Sequence, residues 1–286
     1  MAGADRWRAR YEAFVSKKVD EANAAHLPPY VTAVDHGPEG AIAIGNAWSL
    51  RLFDGPFYIS GPHDPRRPSC SLVFVQSADG NTVAPDPASL GGGDTDKHLI
   101  YEGLSRVAAD AVLAGAGTVR GGHLIFSVWH RALVELRQSF GLARHPRQVV
   151  ATLRGLDVDG MLLFNVPEIP VIVLTIASAA DTMRTALAAR PWVTPVVMES
   201  RTELGSAFQH LRSMGMQRVS CVGGRQLAGQ LLDARLVDDV YLTTSPTPGG
   251  EPDTPLYRAP LPGRVVLRKH GTAAESGVVF EHWRLW

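Results

Sequence analysis

The 286-residue sequence predicts an α/β protein in which helices cover both faces of a largely parallel sheet, preceded by a smaller α+β piece. Three observations predict it. From residue 69 onward, short apolar runs alternate with stretches of helical periodicity, the pattern of strands buried on both faces. Two of those runs end directly in glycines, as strands do when they meet a helix at a ligand edge. Composition also shifts near residue 65, where Gly61-Pro62-His63-Asp64-Pro65-Arg66-Arg67-Pro68 reads as a linker. That shift divides the chain into an extension, 1–65, and a main domain, 69–286.

Within the extension, Trp7, Tyr11, Phe14, Val15 and Val19 fall at helical spacing, so residues 6–25 read as an amphipathic helix. Pro28-Pro29 ends it. The aromatic stripe is either core packing or a surface for a partner or ligand. Short β-like runs follow at Tyr30–Val34, Ala41–Ile44 and Trp48–Phe53.

In the main domain the expected strands are Cys70–Val75, Ala111–Ala114, Gln148–Ala151, Val171–Thr175, Thr194–Met198, Arg218–Val222 and Val237–Ser245. Helical patterns fall at 94–107, 129–140, 179–189, 202–214 and 226–234. Arg264–Lys269 and Val278–Leu285 read as a closing antiparallel pair.

Composition narrows the function. Lys plus Arg and Asp plus Glu both number 28, so the formal charge is zero. A nucleic-acid or membrane-surface protein would show a basic excess, so neither partner is expected and any anion site is local. Cys70 and Cys221 are too few for a disulfide framework or a four-ligand zinc site, and no metal is expected. Both read as small buried hydrophobes. The start has no secretory pattern and no apolar stretch is long enough to span a bilayer, so a cytoplasmic protein is expected.

The residues that could carry chemistry sit at strand ends. Gly115-Ala116-Gly117-Thr118-Val119-Arg120 follows a buried strand, where glycines let backbone amides approach an anion and a Thr hydroxyl adds a donor. A Rossmann fingerprint would need a third glycine where Arg120 stands and an acid after a second strand; Glu135 has the distance but lies in a helical pattern. That assignment fails. Val222-Gly223-Gly224-Arg225 is a second strand–helix junction suited to phosphate, because the helix's free N–H groups favour negative charge. Each junction alone is equally a tight turn or a close strand–helix crossing. With parallel strands, both would open at the same carboxyl edge. Ser77-Ala78-Asp79-Gly80 follows the first strand of the domain; Asp79 there could orient or protonate a polar ring, and Asp-Gly is also a standard turn pair.

In this order the motifs resemble the reductase half of riboflavin-biosynthesis deaminase-reductases. Ser-x-Asp-Gly, the run Ala109-Asp110-Ala111-Val112-Leu113 into Gly-Ala-Gly-Thr-Val-Arg, Gly223-Gly224-x-x-Leu227, and Leu236-Val237-Asp238-Asp239-Val240 through Thr244-Ser245-Pro246 carry the likeness, from Ser69 to Phe280. The resemblance implies a dihydrofolate-reductase-like fold, a mixed and mainly parallel sheet flanked by helices, in a homodimer. It implies hydride transfer from NADPH to a pyrimidine- or pteridine-like heterocycle or its ribosylamino derivative. Gly115, Gly117, Thr118, Val119, Gly223, Gly224, Arg225 and Leu227 would then meet the cofactor, and Asp79 the substrate. Arg154, after the strand at 148–151, would pair with the 2′-phosphate that distinguishes NADPH, or be a solvated loop charge.

The chain departs from that family at Val222, where a Glu is common, and at Gly121-Gly122-His123-Leu124, where acidic residues and Asp-Pro are common. His123 is either a substitute group or a surface histidine. No His-x-Glu with Pro-Cys-x-x-Cys occurs in the first 68 residues, so no deaminase half is expected. The second reading these departures support is a nucleotide-binding sensor on the same fold. The extension would then serve assembly or cap the active site.

Overall fold

The computed structural model describes residues 2–37, 39–120, 124–273 and 277–285. The expected helix is α1, Ala2–Ala24. Its Trp7 and Ala22 are buried with Ile125, Trp129, Leu162, Val166 and Ile169, and Tyr11, Phe14, Val15 and Val19 pack against that cluster. The aromatic stripe is therefore core.

β1 (Tyr30–Asp35), β2 (Ala41–Ile44) and β3 (Phe57–Ser60) follow, with β2 and β3 forming a separate two-stranded antiparallel sheet. Trp48–Phe53, expected as a β-like run, is instead the helix α2, Ala47–Phe53. The cause is local. Asn46 accepts from the Ser49 amide while the Ser49 hydroxyl accepts from the Asn46 amide, a reciprocal cap that fixes a helix start. Ser49, Leu52 and Phe53 then share one buried face.

The remaining strands are β4 (Ser69–Gln76), β5 (Ala111–Gly115), β6 (Arg147–Ala151), β7 (Val171–Ile176), β8 (Val193–Met198), β9 (Arg218–Cys221), β10 (Asp239–Thr244), β11 (Arg264–Gly271) and β12 (Val279–Arg284). One ten-stranded sheet runs β1-β11-β12-β10-β4-β9-β5-β6-β7-β8. From β10 to β8 every pairing is parallel, and β12, β11 and β1 extend it antiparallel. The extension's β1 is thus an edge strand of the same sheet as the main domain.

Alternation along the strands sends side chains to two layers. On one face Leu72, Leu113, Val149, Ile172 and Leu242 pack under α7 (Leu204–Ser213) and α8 (Arg225–Asp233). On the other, Val73 and Tyr241 meet a π-helical segment, Thr95–Leu104, that runs into α3 (Ser105–Val107) and packs with α5 (Arg131–Ser139). On that same face Val112, Val150 and Val173 meet α6 (Ala177–Ala188). α4 (Ala116–Arg120) is a single turn directly off β5. This is the mixed, mainly parallel, helix-flanked sheet that the sequence led us to expect.

Candidate functional site

Because β4, β9 and β5 are parallel neighbours, the three motifs that follow them open at one sheet edge. The two glycine junctions touch. The Gly115 amide donates to the Gly223 carbonyl at 3.2 Å, and the Val222 amide donates to Leu113 at 2.9 Å. A Cβ on Gly223 would lie 2.9 Å from Thr118 Oγ1, and one on Gly224 would lie 3.5 Å from the Gly115 Cα. At Gly223 a side chain would crowd Thr118, and at Gly224 the φ of +88° is what calls for glycine, since a Cβ there would make only ordinary contact with Gly115. Gly117 is different: it is exposed, and nothing stands within 4 Å of where a Cβ would be.

Gly224 is the N-cap of α8 and carries no side chain to satisfy the first-turn amides, while Arg225 opens the helix and is exposed. That leaves donors and a cation at a helix start, the arrangement that attracts phosphate. Leu227 is buried beside Gly115 and Gly224. Val119 is 1 % exposed and points into the core, so only its backbone can meet a ligand. Val222 is buried in the same cluster, and its carbonyl accepts from the Tyr101 hydroxyl.

Asp79 sits apart from this pair of junctions. It is exposed in a turn in which the Gly80 amide donates to Ser77, and its carboxylate accepts from the Gly249 amide at 3.1 Å. Ser77 Oγ and Asn81 Nδ2 both donate to the Gly249 carbonyl, so the turn is pinned to the loop after β10. Arg154 follows β6, next to β5, and is exposed. Its loop is shaped by Thr152, which donates to the Gly155 carbonyl, as does Arg120. Gly121, Gly122 and His123 lie outside the described residues.

One acidic residue escaped the sequence reading. Asp96 begins the π-helical segment and packs at the carboxyl ends of β4 and β10, where Thr243 Oγ1 donates to its Oδ1. It is 8 % exposed, and burial raises its pKa from 3.8 to about 6, with the Thr243 hydrogen bond opposing the shift. Gly92 permits this placement: a Cβ there would stand 3.0 Å from Asp96 Oδ2. The Tyr30 hydroxyl is buried without a hydrogen-bond partner, and the charge of Asp96 adds to the burial that raises its pKa. In sequence, Asp94-Thr95-Asp96-Lys97 reads as the solvated start of a helix, and only the sheet reveals which acid turns inward. Asp96 sits by β10 and β4 and the cradle by β9 and β5, neighbouring strands of one sheet edge.

The fold and this edge define a class, the α/β proteins whose mainly parallel sheet is flanked by helices and opens a polar site at its strand ends. The structure is similar to a pyrimidine reductase-like protein from Corynebacterium diphtheriae, with a TM-score of 0.62 and 22% identity over 77% of this chain and 92% of that one. It is also similar to the riboflavin biosynthesis reductase of Saccharomyces cerevisiae, with a TM-score of 0.54 and 18% identity over 79% and 93% of the two chains. Residues 68–276 match the RibD C-terminal domain, and the chain belongs to that family. By sequence it is 28% identical over 151 residues to the 2,5-diamino-6-ribosylamino-4(3H)-pyrimidinone 5′-phosphate reductase of Archaeoglobus fulgidus, covering 52% of this chain and 68% of that protein.

Proposed function

We propose that the chain is an NADPH-dependent reductase of a pyrimidine- or pteridine-like heterocycle, or of its ribosylamino derivative. The observation that carries this reading is the single cradle made by Gly115, Thr118, Gly223 and Gly224 at the start of α8, on the same sheet edge as a buried Asp96 whose pKa is raised. The Archaeoglobus relative, named as a reductase of such a pyrimidinone, supports the substrate class.

The cradle fits a dinucleotide. The Gly117 amide, the Thr118 hydroxyl and the α8 N-terminus with Arg225 would hold the pyrophosphate. Arg154, one strand further along, would take the 2′-phosphate through its planar donors. When bound, the nicotinamide supplies the hydride. The chain supplies the rest. Asp79 orients the polar edge of the substrate from a turn fixed by Gly249. Thr243 occupies Oδ1 of Asp96, so the acid's proton resides on Oδ2, where it can be given to the substrate atom beside the reduced carbon. With its pKa raised to about 6, Asp96 holds that proton in about one molecule in ten at pH 7 and in most molecules below pH 6.

In this reading residues 69–286 form the reductase unit, residues 1–65 cap it, and the protein works in the cytoplasm as a homodimer. No described helix is long and apolar enough to cross a membrane. NADPH should raise the thermal midpoint of the purified protein more than NADH does; no shift with either nucleotide would sink the proposal. Val222 favours a second reading, a nucleotide-binding sensor without turnover, because a buried valine stands where the family commonly has a Glu. Oxidation of NADPH by candidate heterocycles, followed by absorbance, separates the two.

A further inference from the structure

The glycine cradle is held in place by a residue outside it. The π-helical segment Thr95–Leu104 carries Tyr101, whose hydroxyl donates to the Val222 carbonyl at 3.3 Å. That carbonyl and the Gly223 amide belong to one peptide plane, and a trans peptide points them to opposite sides. On the far side the Gly223 amide is turned to the Cys221 sulfur, where its hydrogen bond opposes the burial that raises the thiol pKa from 9.0 to about 12. The alternation of the strand agrees: Val222 lies in a core layer that Tyr101 packs against, and Cys221 in the layer on the opposite face. The next carbonyl, that of Gly223, accepts from the Gly115 amide. Both peptides leading into α8 are therefore bonded by the protein itself.

Tyr101 is braced in turn. The Arg106 guanidinium carbon stands 4.3 Å from its ring centroid and 5.6 Å from that of Phe126. Arg106 is 1 % exposed; its Nη1 donates to the Ser127 carbonyl, while Nε and Nη2 are buried without a hydrogen-bond partner. Buried donors are rarely left so, and the two rings offer their faces to them. A guanidinium removed from water holds an aromatic face more strongly than an exposed one. Swinging the phenol away from Val222 would uncover that buried charge. The winding of the segment adds to this placement. Asp96 and Tyr101 are five residues apart; in an α-helix they would point about 140° from each other, whereas i→i+5 bonding turns them toward one face. One segment thus carries both the candidate acid and a clamp on the cradle.

We propose that Tyr101 is a positioning residue of the cradle: its hydroxyl locks the Val222–Gly223 peptide, so that the uncapped first-turn amides of α8 meet phosphate already ordered. Glycines give this junction a backbone freedom that a ligand would otherwise have to remove, and ordering it in advance lowers that cost. The inference rests on the reading of the cradle as a nucleotide site.

Tyr101→Phe keeps the ring over Arg106 and removes only the donor. NADPH and NADH should both bind about tenfold more weakly by fluorescence titration, the worth of one hydrogen bond, because the pyrophosphate is common to them. In turnover the loss should fall on KM for NADPH and not on kcat at saturating nucleotide. Arg106→Gln is the second probe and should weaken both nucleotides about two- to fivefold, the worth of a cation–ring contact. In the nucleotide-free protein, residue-resolved amide exchange at Gly115 and Gly223 should quicken about tenfold in Tyr101→Phe, with the amides of β7 unchanged. Full nucleotide affinity in Tyr101→Phe, even with a lowered thermal midpoint, a loss confined to NADPH, or a fall in kcat with KM unchanged would each overturn the proposal. If the wild type binds neither nucleotide, the reductase reading falls by itself, and unaltered exchange at Gly115 and Gly223 then overturns the clamp.

Discussion

Replacing Asp96 with Asn separates the acid's chemistry from its place in the fold. Burial raises the Asp96 pKa from 3.8 to about 6, so the folded protein holds this proton more tightly than the unfolded chain does. Ionised Asp96 therefore opposes folding. The penalty is absent below pH 3.8, grows by about 1.4 kcal/mol per pH unit between 3.8 and 6, and is complete above 6, at about 3 kcal/mol. Asn removes the ionisation and retains an oxygen for Thr243, but brings an amide N–H₂ that costs about 1 kcal/mol if it finds no acceptor. Asp96→Asn should thus be about 2 kcal/mol more stable than the wild type at pH 8 and equal or slightly less stable at pH 4. Urea unfolding at the two pH values measures this. The same variant should lose about 10²–10⁴-fold in kcat, the usual worth of a positioned acid. In the wild type, kcat should fall as pH rises through 6. A variant destabilised at pH 8, or one reducing substrate at the wild-type rate, would refute the reasoning.

Two further outcomes follow from the cradle. Gly223→Ala puts a methyl 2.9 Å from Thr118 Oγ1 and must turn that hydroxyl aside; NADPH should bind at least about tenfold more weakly by fluorescence titration, the equivalent of one lost charge-assisted hydrogen bond. Arg154→Gln should cost about 10–100-fold in NADPH affinity and leave NADH affinity unchanged, as loss of a guanidinium–phosphate pair requires; equal losses for both nucleotides would remove Arg154 from the 2′-phosphate.

Much of this structure was readable because its strands are buried on both faces. Val171–Ile176 and Ala111–Gly115 are continuous apolar runs with glycine or helix starts beyond them, a pattern only a central parallel strand needs. The Gly115 and Gly223–Gly224 junctions were legible for the same reason: glycine at a strand end marks backbone approach, though not that the two approach each other across 108 residues. What escaped depended on context. Trp48, Leu50 and Leu52 alternate as a strand would, yet the short-range cap between Asn46 and Ser49 overrides the alternation. β3 is only four residues long, and its pairing with β2 defines it. Asp96 carries no local mark, because its perturbation comes from burial against the packed ends of β4 and β10, with Thr243 opposing it.

Both margins of the ten-stranded sheet are guarded. At one, β1 covers β11 by backbone pairing, and the Thr32 amide donates to Asp54 instead of facing outward unused. At the other, β8 carries Pro195, which has no N–H to offer an incoming strand. A second copy of the chain therefore finds poor footing for growing the sheet sideways. Two copies that join should meet through helices or loops, leaving each reductase edge built from one chain's strands.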